Sequence, residues 1–259
     1  VATYLDTILA AHRAAGGDRT PQIAEARAQP PARGFRAALA APAPGPADGL
    51  HVIAEIKRRS PSKGALNAEL VPGVLAKSYA DGGATCLSVL TDSAFFGGSP
   101  ADLGEARTAV DLPVLRKDFT VSPADVTDAR LMGADAVLLI AAALDDAELR
   151  DFHQLAVEVG LDALVEVHDE AEVERALDGG ATLVGVNQRD LVTFEVDHAR
   201  AVRVATAIPG GVVKVAESGV RNADDARRLR DAGYHAILVG ETLVTAPDPA
   251  ATLRELRCS

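Results

Sequence analysis

Tryptophan is absent from the 259 residues, aromatic side chains make up only 3%, and basic residues are outnumbered 26 to 37. A nucleic-acid surface needs a basic footprint and usually stacking rings, so a chain of net charge −11 and few aromatics is not expected to bind nucleic acid. There are two cysteines, Cys86 in an apolar run and Cys258 next to the C-terminus, which excludes a disulfide framework or a cysteine-ligated metal. No His/Cys/Asp grouping has metal-ligand spacing, so no metal is expected. Long apolar runs are missing too: the longest without a charge, Ala136 to Leu144, is too short to cross a bilayer. The opening VATYLDTILAAHR lacks a signal-peptide layout. The expectation is a soluble, cytoplasmic protein with no membrane partner. Any anionic ligand must be bound by local chemistry against the overall field.

Hydrophobic residues are plentiful at 48%, and internal repetition organises them. Four segments share one grammar, a helix ending in glycine followed by an apolar strand: GGATCLSVLTD, MGADAVLLI, GGATLVGVN and AGYHAILVGE. Between them lie four more strand-like runs, VIAEIK, PVLRKD, DALVEV and VVKVAES, and the intervening stretches have helical patterning. Eight β–α units alternating at this spacing predict parallel strands closed into a (β/α)8 TIM barrel, an α/β fold. The whole of 1–259 reads as one such domain, with 1–50 as an N-terminal helical extension and linker. Within that extension Thr3 to Ala14, with Leu5, Ile8, Leu9 and His12 on one side, and Arg33 to Ala40 are helical candidates, and the proline- and glycine-rich Ala41 to Gly49 is a connector. The extension could plug the barrel's bottom face or contribute to the active-site mouth.

Active sites of such barrels lie at the C-terminal ends of the strands. The odd strands all carry charges there: Glu55 and Lys57, then Arg116, Lys117 and Asp118, then Glu166 and His168, then Glu217 and Ser218. The sixth strand ends in Asn187, the eighth in Gly240, and the fourth is apolar through Leu138 and Ile140. Residues two apart share a strand face, so Lys117 goes with Leu115, Glu166 with Leu164, Glu217 with Val215 and Asn187 with Gly185. Arg116, Asp118 and Lys214 fall on the other face, as outer ion pairs or snorkelling side chains. Two ammonium groups and three carboxylates at one mouth supply what general acid–base chemistry needs. His168 could titrate usefully or be a hydrogen-bonded strand-end histidine. The turns ESGV and VGET, after strands seven and eight, present backbone N–H groups where barrels commonly hold phosphate, and Ser60 and Lys63 can complete the cradle.

The motifs AEIKRRSPSKG, LTDSAFFGGS, LRKDF, ALVEVH, GVNQRDL, AESGV and LVGETL, in this order and spacing, resemble indole-3-glycerol-phosphate synthase of tryptophan biosynthesis. The resemblance implies a cofactor-free carboxy-lyase. Such an enzyme closes the pyrrole ring of 1-(2-carboxyphenylamino)-1-deoxyribulose 5-phosphate, releasing carbon dioxide and water to give indole-3-glycerol phosphate. By resemblance Lys117 is the general acid at the substrate carbonyl, and Lys57 holds the anthranilate carboxylate and helps expel the hydroxyl. Glu55 is then the base of the dehydration, Glu166 assists proton transfer, and Glu217 and Asn187 orient these groups. Ser60, Ser218, Gly219, Gly240 and the Glu241 backbone would hold phosphate, the Glu241 side chain turning away. Arg189 would join Lys57 near the carboxylate, with Phe96, Phe119, Leu138, Ile140 and Leu191 as an apolar wall. Nothing resembles a phosphoribosylanthranilate isomerase half, and oligomeric state is invisible. Two alternatives remain at this level: another phosphate-binding barrel that uses Lys117 as a Schiff base, and a barrel that binds a phosphorylated ligand without chemistry.

Overall fold

A computed structural model describes residues 3–16, 19–43, 49–61, 63–190 and 192–257. Eight parallel strands form a closed barrel: β1 (His51–Ile56), β2 (Cys86–Leu90), β3 (Val114–Lys117), β4 (Ala136–Ile140), β5 (Asp162–Val167), β6 (Leu183–Asn187), β7 (Val213–Glu217) and β8 (Ala236–Val239). Closure is made by β1, which pairs with β2 through Ile53 and Cys86 and with β8 through His51 and Ala236. Each strand corresponds to one of the eight apolar runs in the sequence.

The outer helices are α4 (Pro72–Gly82), α5 (Pro100–Ala109), α6 (Pro123–Leu131), α7 (Asp146–Glu158), α8 (Glu170–Asp178), α9 (His198–Ala205), α10 (Ala223–Asp231), the short α11 (Glu241–Val244) and α12 (Pro249–Arg257). Their starts follow from capping chemistry. The hydroxyls of Ser99 and Ser122 and the carboxylate of Asp169 accept backbone N–H bonds of the first helical turns of α5, α6 and α8, and Asp145 with Glu148 forms a reciprocal capping box on α7. The repeated helix-ending glycine has an equally local cause. Gly83, Gly133, Gly180 and Gly233 all have φ between 85° and 95°, a left-handed turn that reverses the chain from helix to strand and disfavours a Cβ.

Three helices precede the barrel: α1 (Tyr4–Gly16), α2 (Ile23–Arg27) and α3 (Phe35–Ala40). The first expected helix is two residues longer at its C-terminal end, the second begins at Phe35 because Gly34 takes a left-handed conformation (φ 73°), and α2 was not foreseen. Of the proline-rich connector, residues 44–48 lie outside the described residues, as does Cys258. The extension performs both of the tasks weighed for it. At the bottom, Phe35 and Leu39 are fully buried among Ile53, Cys86, Leu115, Ala136, Leu183, Val213 and Ala236, so α3 stoppers the barrel interior. The backbone N–H of Arg36 bonds the Asp162 carboxylate at 2.8 Å there. From that end the chain is pinned to the outside of the barrel by Arg33, Gln22 and Arg19, and α1 reaches the opposite mouth.

Candidate active site

The barrel's C-terminal mouth holds a cavity of about 360 Å³. Its floor is a set of ionisable side chains delivered by successive strand ends. Glu55 and Lys57, from the end of β1, form an ion pair of 2.5 Å, with the Ser88 hydroxyl donating to the other Glu55 oxygen at 3.4 Å. Across the cavity Lys117 Nζ lies 3.1 Å from Glu166 Oε2 and 3.5 Å from Glu217 Oε2. Asn187 Nδ2 donates to Glu166 Oε1 at 3.1 Å, and Asn187 Oδ1 accepts the Ser218 hydroxyl at 2.9 Å and the Arg189 N–H at 3.0 Å. Two glycines make room for this density: a Cβ on Gly185 would overlap Glu217 Oε1, and one on Gly240 would overlap Glu55 Oε1.

Burial and mutual charge set the protonation states. Burial works to lower the Lys117 ammonium pKa but is outweighed by the negative charges of Glu166, Glu217 and Glu55, so the group is held protonated. Burial pushes Glu217 up to about 8; Lys117 opposes this and Glu166 reinforces it. Glu166 goes the other way: burial favours its neutral form, yet Lys117, His168 and the Asn187 amide together hold it below the usual carboxylate range. Two carboxylates that share one lysine therefore differ, one ionised and one protonated near neutrality.

The residues expected to hold an anion after β7 and β8 lie together at the mouth. Ser60, Lys63, Ser218, Gly219, Gly240 and Glu241 all line the cavity. Ser218 and Gly219 are consecutive left-handed residues (φ 68° and 76°), which costs a non-glycine residue about 1–3 kcal/mol and turns the backbone sharply at the end of β7. The Ser60 hydroxyl is buried and finds no partner among the described residues, leaving it available to a ligand. The Glu241 side chain turns to Lys63, 3.8 Å away.

The apolar wall consists of Phe96 and Phe119, whose ring centres are 6.3 Å apart, with Leu138 and Ile140. Arg189 lines the cavity and is tied to the Phe194 carbonyl at 2.9 Å. Leu191 lies outside the described residues. Arg116 is an outer ion pair with Asp118 at 3.1 Å, and Lys214 snorkels to the Ala205 carbonyl, both as parity implied. Asp118 departs in part, because it also reaches the cavity rim. His168 is hydrogen-bonded to Glu172, the second of its two readings.

Sequence reasoning left undecided whether the extension reaches the mouth, and named none of the residues that form its roof. Tyr4, Leu5 and Ile8 of α1 line the cavity, and the Tyr4 ring meets Phe95 and Phe194 edge-on at 6.0 and 5.7 Å. His12, one α1 turn further on, bonds Asp92 at 3.0 Å, and Asp92 in turn accepts the N–H groups of Phe95 and Phe96. The apolar face of α1 was legible, but where it docks was not. Arg59 ties the first loop to the second by donating to the Ala94 and Phe95 carbonyls. The fold also gathers His12, Asp92 and Asp118 from three distant segments into a cluster that ligand spacing in the sequence could not reveal. All four of its carboxylate oxygens already accept hydrogen bonds from within the protein.

Fold and site together define a TIM barrel with an acid–base ring at its C-terminal mouth and glycine-containing turns beside it. The indole-3-glycerol phosphate synthase family model matches residues 6–256, and the chain belongs to that family. It is 52% identical over 231 residues to indole-3-glycerol phosphate synthase 2 of Streptomyces coelicolor, covering 89% of this chain and 87% of the relative. It is 48% identical over 248 residues to the synthase of Koribacter versatilis, covering 96% and 94%. Among solved structures, thiamine phosphate pyrophosphorylase from Pyrococcus furiosus superposes with a TM-score of 0.61 at 20% identity, covering 80% of this chain and 93% of that one. The N-acetylmannosamine-6-phosphate 2-epimerase of Clostridium perfringens gives 0.59 at 14%, covering 74% and 86%. At these identities the solved structures speak for the fold alone. No helix among the described residues is long and apolar enough to cross a membrane.

Proposed function

We propose that this barrel converts 1-(2-carboxyphenylamino)-1-deoxyribulose 5-phosphate to indole-3-glycerol phosphate, and that its N-terminal extension and barrel work as one unit. The observation that carries the reading is the convergence of Lys57, Lys117, Glu55, Glu166, Glu217 and Asn187 on one cavity. In this reading the phosphate sits against Ser60, Ser218, Gly219, Gly240 and the Glu241 N–H, with Lys63 adding charge. The carboxylate meets Lys57 and Arg189, and the aromatic ring lies along Phe96, Phe119, Leu138 and Ile140.

As the ring carbon attacks the ketone, Lys117 gives its proton to the developing alkoxide, which is the stronger base at that moment. Glu217, protonated and 3.5 Å from Lys117, can return a proton to the amine. The carboxylate leaves as carbon dioxide, restoring electrons to the ring system beside an apolar wall, which favours this charge-dispersing step. Lys57 then protonates the departing hydroxyl, and Glu55, its ion-pair partner, takes the proton whose loss completes the pyrrole. Each proton-transfer group typically supplies a factor of about 10² to 10⁴.

The test is direct, because a chain with no tryptophan leaves the indole fluorescence window clear. Incubation with the carboxyphenylamino substrate in EDTA should produce indole fluorescence and release carbon dioxide. Folded protein that gives no product would overturn the reading, and activity lost to EDTA and restored by Mg²⁺ or Zn²⁺ would overturn the metal-free mechanism.

A further inference from the structure

The ring of His168 stands directly behind Glu166, between two carboxylates. Its Nδ1 is 3.1 Å from Glu172 Oε2, which also accepts the His168 backbone N–H at 2.7 Å. Its Nε2 is buried, has no hydrogen-bond partner among the described residues, and lies 3.8 Å from Glu166 Oε1. An ionised Glu172 can only accept, so Nδ1 carries a hydrogen. Nε2 then presents either a lone pair or an N–H to the Glu166 carboxylate, and only the second is attractive. The charges facing the ring are Glu166 from β5, Glu172 from α8 and, in opposition, Arg200 from α9, whose guanidinium is drawn to Asp190 at 3.6 Å.

This arrangement strengthens an asymmetry between two carboxylates. Glu166 and Glu217 both flank Lys117 and are equally deprived of water; the lysine donates to Glu166 at 3.1 Å and stands 3.5 Å from Glu217, a small bias toward an ionised Glu166 that a second cation behind Glu166 would reinforce. We propose that His168 is a positioning residue whose imidazolium, held by Glu172, fixes Glu166 as the ionised partner of Lys117 and leaves the proton on Glu217. The line Glu172–His168–Glu166–Lys117 then runs from α8 to the reacting centre, and the Asn187 amide acts on Glu166 in the same sense. Burial disfavours the imidazolium, but the Glu172 bond and the two carboxylate charges outweigh it and raise the His168 pKa. The kinetic consequence rests on the proposed function, whereas the charge of the ring does not.

Nitrogen-15 NMR of the imidazoles, with His168 assigned by its loss in His168→Asn, reads that charge without turnover. Followed against pH, the ring should keep its imidazolium form to a higher pH in the unsubstituted protein than in Glu172→Gln. In the fluorescence assay His168→Asn, whose amide can still donate to Glu172, should lower kcat about tenfold, less than a direct proton-transfer group costs, with KM within about twofold. The acid limb of its kcat profile should move up by about half a pH unit or more, since Glu166 loses a stabilising charge, and Glu172→Gln should move it in the same direction. A ring that titrates at the same pH in both proteins, or an acid limb that stays in place in both variants, overturns the proposal. If the unsubstituted protein makes no product, the functional reading fails while the NMR result still decides this one. Should His168→Asn not fold, His168→Gln supplies the assignment and Glu172→Gln carries both measurements.

Discussion

At the scale of single residues the question is what Lys117 can do with its proton. A lysine at an apolar strand end becomes a Schiff-base nucleophile when burial strips its charge. Here three glutamates surround it and keep the ammonium form, which can donate a proton but cannot attack a carbonyl. Lys117→Ala should therefore lower kcat by about three orders of magnitude or more with KM little changed, because the phosphate and apolar contacts remain. Borohydride added during turnover should trap nothing, and a substrate-dependent mass increase on the peptide containing Lys117 would reinstate the covalent alternative. Parity along each strand made Lys117, Glu166, Glu217 and Asn187 legible as one set from sequence. The difference between Glu166 and Glu217 was not legible, since it depends on His168 and on a hydrogen bond from Asn187, which only the closed barrel supplies.

Among the elements, α1 is held at the mouth by a titratable contact. His12 bonds Asp92, its largest stabilising influence; burial opposes, and the charges of Asp118, Asp92 and Asp125 add to it, so its pKa rises above the ordinary 6.5. A raised histidine pKa contributes stability that is complete below the unfolded value and fades as pH climbs through the folded one. Hydrogen exchange of the α1 amides, corrected for intrinsic rates, should show protection falling as pH climbs above about 6.5 in the unsubstituted protein and staying level in His12→Asn. Parallel losses in both would remove His12 from the account. The periodicity of Leu5, Ile8, Leu9 and His12 predicted the helix and grouped these residues on one side. Its docking depends on Asp92 and Phe95, some eighty residues away, and no local pattern encodes such a contact. The strands were readable for the opposite reason, because their apolar runs and glycine junctions are local.

For the molecule as a whole, the extension joins two ends that a plain barrel leaves unconnected. Phe35 fills the bottom of the interior and is fully buried, whereas the chemistry lies at the other end of the strands. Phe35→Ala should cost about 3–5 kcal/mol of stability through the cavity it leaves, read as a drop in melting temperature, with kcat/KM of the folded fraction at moderate temperature unchanged. A variant with its full melting temperature would show that α3 does not stopper the barrel. The stopper also carries an order of events. Residues 35 and 39 leave the ribosome early, yet the surface that receives them includes Leu183, Val213 and Ala236, from strands made late. A segment synthesised before every strand of the barrel is therefore among the last that can settle, and until then its apolar side chains must travel uncovered. A nascent chain halted before β7 would expose α3 to chaperones and proteases, while a finished one hides it, so the N-terminal segment marks whether synthesis of the barrel has been completed.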